Sequence, residues 1–353
     1  MNRRTFLAVT SAAVLGSACR RVGIEDLTTR SPQSEIVLWL DEKIQGIAQR
    51  KIVEPLKATI INRRLPTGTD LAFVCLANET GDVLSYIPSR DETLGYDNCR
   101  FAMRDIASTV KLFVYAVALQ SGAISADETF MDAPMEFRRL DGRGTYRADN
   151  YGSRYTMRAL SIEEAIAISS NVIALQVYHR IKQDVLRAHL AALDLPTKYN
   201  PNFLPLGIYA IPPLVLASRT TLFARGGSYV LPRFINETRT TDNQKTQEPV
   251  RASQQIFRPD VCEVVSRAMQ RCVASGTGAA AADLALRVRA KTGSSSDALC
   301  VMESRATTCA LWIGDRSSNT DLRMSGGRLA APLLADFYRE LLKERAELIP
   351  IWN

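Results

Sequence analysis

The chain has 353 residues, with 44 Lys and Arg against 37 Asp and Glu, a formal net charge of +7 and 46% hydrophobic residues. That apolar fraction supports a packed core and excludes a disordered or collagen-like chain. The positive charge is spread along the sequence with no basic stretch interleaved with aromatics, so nucleic acid is not an expected partner. The two histidines, His179 and His189, stand in no metal-ligand spacing with Cys or a carboxylate, which argues against a metal centre and against a Ser-His-Asp triad. No cofactor is expected.

Residues 1–19, MNRRTFLAVTSAAVLGSAC, join a positive head to an apolar stretch and small residues, and read as an export signal too short to span a bilayer. Arg3 and Arg4 before Thr5, Phe6 and Leu7 resemble the twin-arginine class of address. Gly16, Ser17 and Ala18 suit a small-residue peptidase and also make Cys19 a candidate lipidation site, although the leucine expected three residues before it stands four before, at Leu15. A polar linker follows over 20–35, and 36–353 reads as one domain without linker, charge block or repeat. The expected location is outside the cytoplasm, in a periplasm or on the outer side of the cytoplasmic membrane. Membrane contact is expected only through the signal or a lipid on Cys19.

IVLWLDEKIQGIAQRKIVEPLKATII, residues 36–61, reads as an amphipathic helix with Ser34 as N-cap and a break at Pro55. LAFVCL (71–76) and VLSYI (83–87) read as a β-hairpin across Asn78-Glu79-Thr80-Gly81-Asp82. From Ser108 to about Ser275 the pattern is mostly helical. Strand signals return at 286–292, 298–302 and 307–313, before a last helix at 329–345. Strands at both ends with helices between predict an α+β fold, in which one antiparallel sheet of N- and C-terminal strands packs on a helical middle.

Three short segments could carry chemistry. Ser108 and Lys111 stand three apart at the start of the apolar run TVKLFVYAVAL, a spacing that puts hydroxyl and amine on one helical face. Lys111 is the only charge in that run, and desolvation lowers a lysine pKa toward the range where the amine accepts a proton. Lys291-Thr292-Gly293-Ser294 ends a β-like run, where a cation, hydroxyls and a glycine suit a carboxylate approached closely by backbone. Ser169-Ser170-Asn171 interrupts an apolar helical face, and either points outward or enters a site. A second Ser-Ser-Asn, 317–319, lies in a polar stretch that reads as loop.

In the order Ser-x-x-Lys, Ser-x-Asn, Lys-Thr-Gly, these elements resemble the penicillin-recognising serine enzymes. YDNCRFAMRDIASTVKLFVYAVAL, YRADNYGSRY with LSIEEAIAISSNVIAL, PPLVLASRTTLFARGGSYVLP, SGTGAAAA and KTGSSSDALCVMESRATTCALWIGD narrow the resemblance to the transpeptidase domain of class A penicillin-binding proteins, from about Ile36 to the C-terminus. Ile106-Ala107 stands where the family has Pro-Gly, Leu112 where it has Pro, and Ala290 where it has Gly; the segment between Gly293 and Asp297 is short. No glycosyltransferase domain is read before Ile36, so the resemblance does not imply polymerisation of glycan strands, and a separate glycosyltransferase is a candidate partner.

The resemblance implies acyl transfer through a serine ester on a peptidoglycan stem peptide ending in D-Ala-D-Ala, or on a β-lactam. It makes Ser108 the nucleophile, Lys111 the base and Ser169 the relay to the leaving amine. Asn171 then holds the substrate amide, and Lys291, Thr292, Gly293 and Ser294 form the carboxylate site. A D,D-transpeptidase or D,D-carboxypeptidase is the first expectation; a serine β-lactamase, or a sensor or scaffold module without turnover, is the alternative.

Beyond Cys19 six cysteines remain, and an oxidising compartment would let them pair. Cys262 and Cys272 lie ten apart in one predicted helix, about 15 Å, beyond disulfide reach. A turn centred on Ser304 and Arg305 would set Cys300 opposite Cys309, making them the expected pair.

Overall fold

The structure, a computed structural model, describes residues 35–62, 64–91, 93, 95–239, 244–315 and 320–352. The signal, Ser34, Cys19 and the second Ser-Ser-Asn lie outside the described residues. The framework is a five-stranded antiparallel sheet of β1 (Thr69–Ala77), β2 (Val83–Ile87), β3 (Val288–Ser294), β4 (Ala298–Ser304) and β5 (Thr307–Asp315), in the spatial order β3-β4-β5-β1-β2. The N-terminal hairpin therefore meets the C-terminal meander along one seam, β1 against β5, as the α+β reading expects.

Helices cover both faces. On one lie α1 (Glu42–Ala48), α2 (Glu54–Ile61) and, from the C-terminal end, α8 (Ala330–Glu344), packed on Phe73, Cys75, Cys300, Met302, Cys309 and Leu311. On the other lie α3 (Lys111–Gln120), α6 (Pro213–Ala224) and α7 (Pro259–Ser275), packed on Val74, Leu76, Val301, Ala310 and Trp312. Burial on both faces explains why β4 and β5 read as continuous apolar runs instead of alternating. Between them in sequence, α4 (Ile162–Ala167) and α5 (Asn171–Arg180) complete the helical layer beside α3. The outer edge of β2 is closed by a side chain: Gln45 donates to the Tyr86 carbonyl at 3.1 Å and accepts its N–H at 2.9 Å, as a neighbouring strand would.

Three expectations are corrected. Residues Glu35–Leu38 are a strand paired with Ile235–Arg239, and the helix begins only at Glu42, because Asp41 caps it by accepting from Lys43 and Ile44 N–H at 2.9 and 3.1 Å. Pro55 breaks nothing: a π-helical turn over Gln49–Val53 precedes it and the helix continues through Ile61. A widened turn there removes the contact between the proline ring and the carbonyl four residues back.

The third correction is Cys300 with Cys309. The β4–β5 turn is centred one residue later, on Arg305 and Ala306, so Cys300 faces Leu311 and Cys309 faces Met302. Both thiols are free.

Candidate active site

A tight turn sets the serine–lysine step. Ala107–Val110 form a 3-10 turn that runs directly into α3 at Lys111; side chains three apart eclipse in that geometry, which keeps the Ser108 hydroxyl and the Lys111 amine on one side. Ala107 adopts a left-handed backbone, φ 47°, costing a residue with a Cβ about 1–2 kcal/mol. Two bonds hold it there, from Ile106 N–H to the Tyr209 carbonyl at 3.0 Å and from Ala107 N–H to the Gly207 carbonyl at 3.1 Å. A Cβ on Gly207 would stand 2.1 Å from the Ala107 backbone, so the approach requires glycine.

Lys111 is fully buried. Its Nζ donates to the Ser169 carbonyl and to Asn171 Oδ1, both at 2.7 Å, and lies 3.4 Å from Ser169 Oγ. A neutral amine has two N–H bonds and one lone pair; the two short contacts use the N–H bonds and leave the lone pair free to accept. Burial, helped by the nearby Lys291 charge, pushes Lys111 well below the ordinary lysine range, since an apolar surround penalises the charged form.

The Ser-Ser-Asn triplet ends one helix and starts the next, and it enters the site. Ser169 sits between α4 and α5 with φ 63°. Ser170 caps α5 by accepting from Ile173 N–H at 3.1 Å, and Asn171 is held by donation from its Nδ2 to the Asp149 carbonyl at 2.8 Å.

Lys291-Thr292-Gly293-Ser294 lie on β3, the edge strand facing this turn. Lys291 is fully buried and donates to Ser169 Oγ at 2.8 Å and to the Thr292 carbonyl at 2.9 Å; burial pushes its pKa down to about 8. A Cβ on Gly293 would stand 2.9 Å from the Ile106 carbonyl and 3.2 Å from Ala107 Cβ, so the glycine lets the strand pass against the turn that carries Ser108. Ser294 Oγ accepts from Gly326 N–H at 2.9 Å. Hydrogen bonds thus join Lys111, Ser169, Asn171 and Lys291, and the strand carrying Lys291–Ser294 passes against the turn that carries Ser108.

The sequence reading missed the groups behind them. Thr292 donates to Thr277 Oγ1 at 2.6 Å, from the SGTG segment. Asp132 is fully buried and accepts from Asn150 Nδ2 at 2.7 Å, Ser170 Oγ at 2.8 Å and Thr156 N–H at 2.7 Å. Asn150 Oδ1 in turn accepts the Asn171 N–H at 2.7 Å, which chains a buried carboxylate to the residue that holds Lys111. Burial opposes ionisation of Asp132, but the bonds from Thr156, Asn150 and Ser170 outweigh it and hold the carboxyl below its usual range. In the sequence, Asn150 and Thr277 stood only within the quoted stretches YRADNYGSRY and SGTGAAAA, and nothing marked Asp132.

Residues 71–313 match the family model of the penicillin-binding protein transpeptidase domain. Among curated proteins the chain is 25% identical over 330 residues to penicillin-binding protein 2D of Bacillus subtilis, covering 87% of this chain and 45% of that one. It is 27% identical over 292 residues to penicillin-binding protein 1A of Neisseria gonorrhoeae, covering 77% and 36%. The chain therefore spans less than half the length of these relatives. Its fold is similar to the D,D-transpeptidase domain of a peptidoglycan glycosyltransferase from Eggerthella lenta, with TM-score 0.73, 18% identity and coverage of 92% and 88%. It is also similar to PonA1 of Mycobacterium tuberculosis in complex with penicillin V, with TM-score 0.74, 19% identity and coverage of 94% and 91%.

Proposed function

Because the chain belongs to the penicillin-binding protein transpeptidase domain family, we propose that it is an exported serine acyltransferase that takes the terminal D-Ala-D-Ala bond of peptidoglycan stem peptides and is acylated by β-lactams. The observation that carries this reading is the buried Lys111 amine, whose two short donor bonds leave a lone pair beside the serine turn.

In this mechanism Lys111 takes the proton from Ser108 Oγ as that oxygen attacks the carbonyl carbon. The N–H groups of Ser108 and Ser294 hold the oxyanion, each contributing about 3 kcal/mol. As the tetrahedral intermediate collapses, the proton passes through the Ser169 hydroxyl to the departing amine, leaving an ester on Ser108. An amine acceptor then gives a cross-link, and water gives a trimmed peptide. Lys291 and Thr292 bind the substrate carboxylate by charge-assisted bonds, and Asn171 orients the substrate amide. Export through the segment 1–19, a lipid on Cys19 and a separate glycosyltransferase partner belong to the same proposal.

Labelled penicillin should acylate the wild-type protein at Ser108, and Ser108→Ala should abolish labelling; undiminished labelling of that variant overturns the assignment. Mass spectrometry of muropeptides after incubation separates the activities: cross-linked dimers mean transpeptidase, loss of terminal D-Ala means carboxypeptidase. Rapid penicillin hydrolysis with unchanged muropeptides means β-lactamase, and stable labelling alone means a sensor.

A further inference from the structure

The seam that joins the two ends of the chain in the sheet carries a thiol on each side. Cys75 of β1 stands directly opposite Cys309 of β5, so both side chains point to the same face. Both are fully buried there, among Phe73, Leu311 and Phe337. The register also fixes the type of pair. Asn78 N–H donates to the Ala306 carbonyl at 2.8 Å, and these residues continue the ladder in which Ala77 faces Thr307. Hydrogen-bonded and non-hydrogen-bonded pairs alternate along an antiparallel ladder, so 76 with 308 is bonded and Cys75 with Cys309 is not. Non-hydrogen-bonded partners have Cα atoms about 4.5 Å apart with side chains closest, which falls inside the disulfide range.

We propose that Cys75 and Cys309 are a cross-strand disulfide site, oxidised as the chain folds in the presence of a disulfide-bearing oxidant. One thiolate attacks the oxidant's disulfide and releases one thiol; the second displaces the other half of the oxidant and closes the Cys75–Cys309 bond. The two cysteines lose two electrons and two protons, and the oxidant leaves as two thiols. The Tyr338 hydroxyl, which donates to the Met302 carbonyl at 3.0 Å, lies 3.4 Å from Cys309 Sγ. The finished fold resists the reaction, because both thiols are out of solvent and the Cys309 thiol and burial together hold Cys75 protonated. Oxidation therefore belongs to the open chain, before β1 docks on β5. The bond would tie the N-terminal hairpin to the C-terminal meander at the one place where they meet. Only the compartment in which this happens rests on the export reading; the chemistry does not.

The test is cell-free synthesis of the full chain in two mixtures, one with oxidised glutathione and a disulfide isomerase and one with dithiothreitol. Each product is then denatured, alkylated and mapped by peptide mass spectrometry. The oxidised product should contain a Cys75–Cys309 linked peptide pair, lighter by two hydrogens, should be acylated by labelled penicillin, and should melt at a higher temperature than the reduced product. Cys309→Ala should lose the linked pair and the melting difference while still taking up penicillin. Recovery of Cys75 and Cys309 as alkylated thiols from the penicillin-binding oxidised product overturns the site. So does linkage of either one to Cys300, or acylation confined to chains without the cross-link. Since penicillin uptake is read separately, a protein that forms the bond but binds no penicillin contradicts the acyltransferase reading and not this one.

Discussion

Lys111 and Lys291 converge on one hydroxyl: Ser169 Oγ lies 3.4 Å from the first Nζ and 2.8 Å from the second. Two ammonium groups sharing one neutral oxygen inside a buried site repel each other. Burial first, and the Lys291 charge behind it, lower Lys111, while burial lowers Lys291 to about 8; in the proposed mechanism this divides the labour, with Lys111 as the base and Lys291 as the cation that a carboxylate would meet.

That division sets the pH profile. Lys291, at about 8, is charged below that pH and neutral above it, so carboxylate capture weakens as pH rises through about 8. Lys111 must be neutral to act, so activity rises as it loses its proton. We expect kcat/KM for penicillin acylation to be bell-shaped with its falling limb near pH 8, since that ratio reports the free enzyme. Lys291→Arg, which keeps its charge at any working pH, should remove the falling limb. An unchanged alkaline limb in that variant contradicts the assignment.

Gly293→Ala tests the close approach of β3 to the serine turn. The added Cβ would meet the Ile106 carbonyl at 2.9 Å and Ala107 Cβ at 3.2 Å, so the edge strand or the turn has to give way. Acylation should fall at least about 100-fold, the scale on which misplaced groups lose rate. Ala107→Gly should be tolerated, because a glycine relieves the left-handed strain of about 1–2 kcal/mol while adding chain entropy of about 0.5–1 kcal/mol. Thermal melts and labelling rates of both variants check this.

The residues proposed to carry the chemistry were legible because each sits in a short motif whose residue types are unusual for their surroundings: a lone lysine in the run 109–119, a polar triplet in an apolar stretch, a cation and glycine at a strand end. Their partners were not, because a carboxylate such as Asp132 gains its meaning from Asn150 and Ser170, which only tertiary folding brings to it. The cysteine register failed for a related reason. Shifting a turn from Ser304-Arg305 to Arg305-Ala306 changes every opposition along β4 and β5, and nothing local separates the two turns. At the other end, periodicity ran through 36–61 without marking that Asp41 is the cap.

Asn150→Ala should separate positioning from chemistry. It leaves the Asn171 N–H without its acceptor and takes one of three donors from the Asp132 carboxylate, which keeps Ser170 Oγ and Thr156 N–H, at a stability cost of about 1–3 kcal/mol. It should also slow acylation about 10-fold or more with little change in KM, because the carboxylate-binding strand is untouched. A melt and a kcat against KM comparison read both effects; a rise in KM alone contradicts the chain from Asp132 to Lys111.

The central claim is that Lys111 is the base, and stopped-flow acylation of Lys111→Arg by labelled penicillin tests it most directly. Arginine keeps the charge and approximate length but does not give up its proton. With circular dichroism confirming the fold, the account predicts a rate about 100-fold or more below wild type. A rate close to wild type would show that only positive charge is needed at this position and would contradict the mechanism.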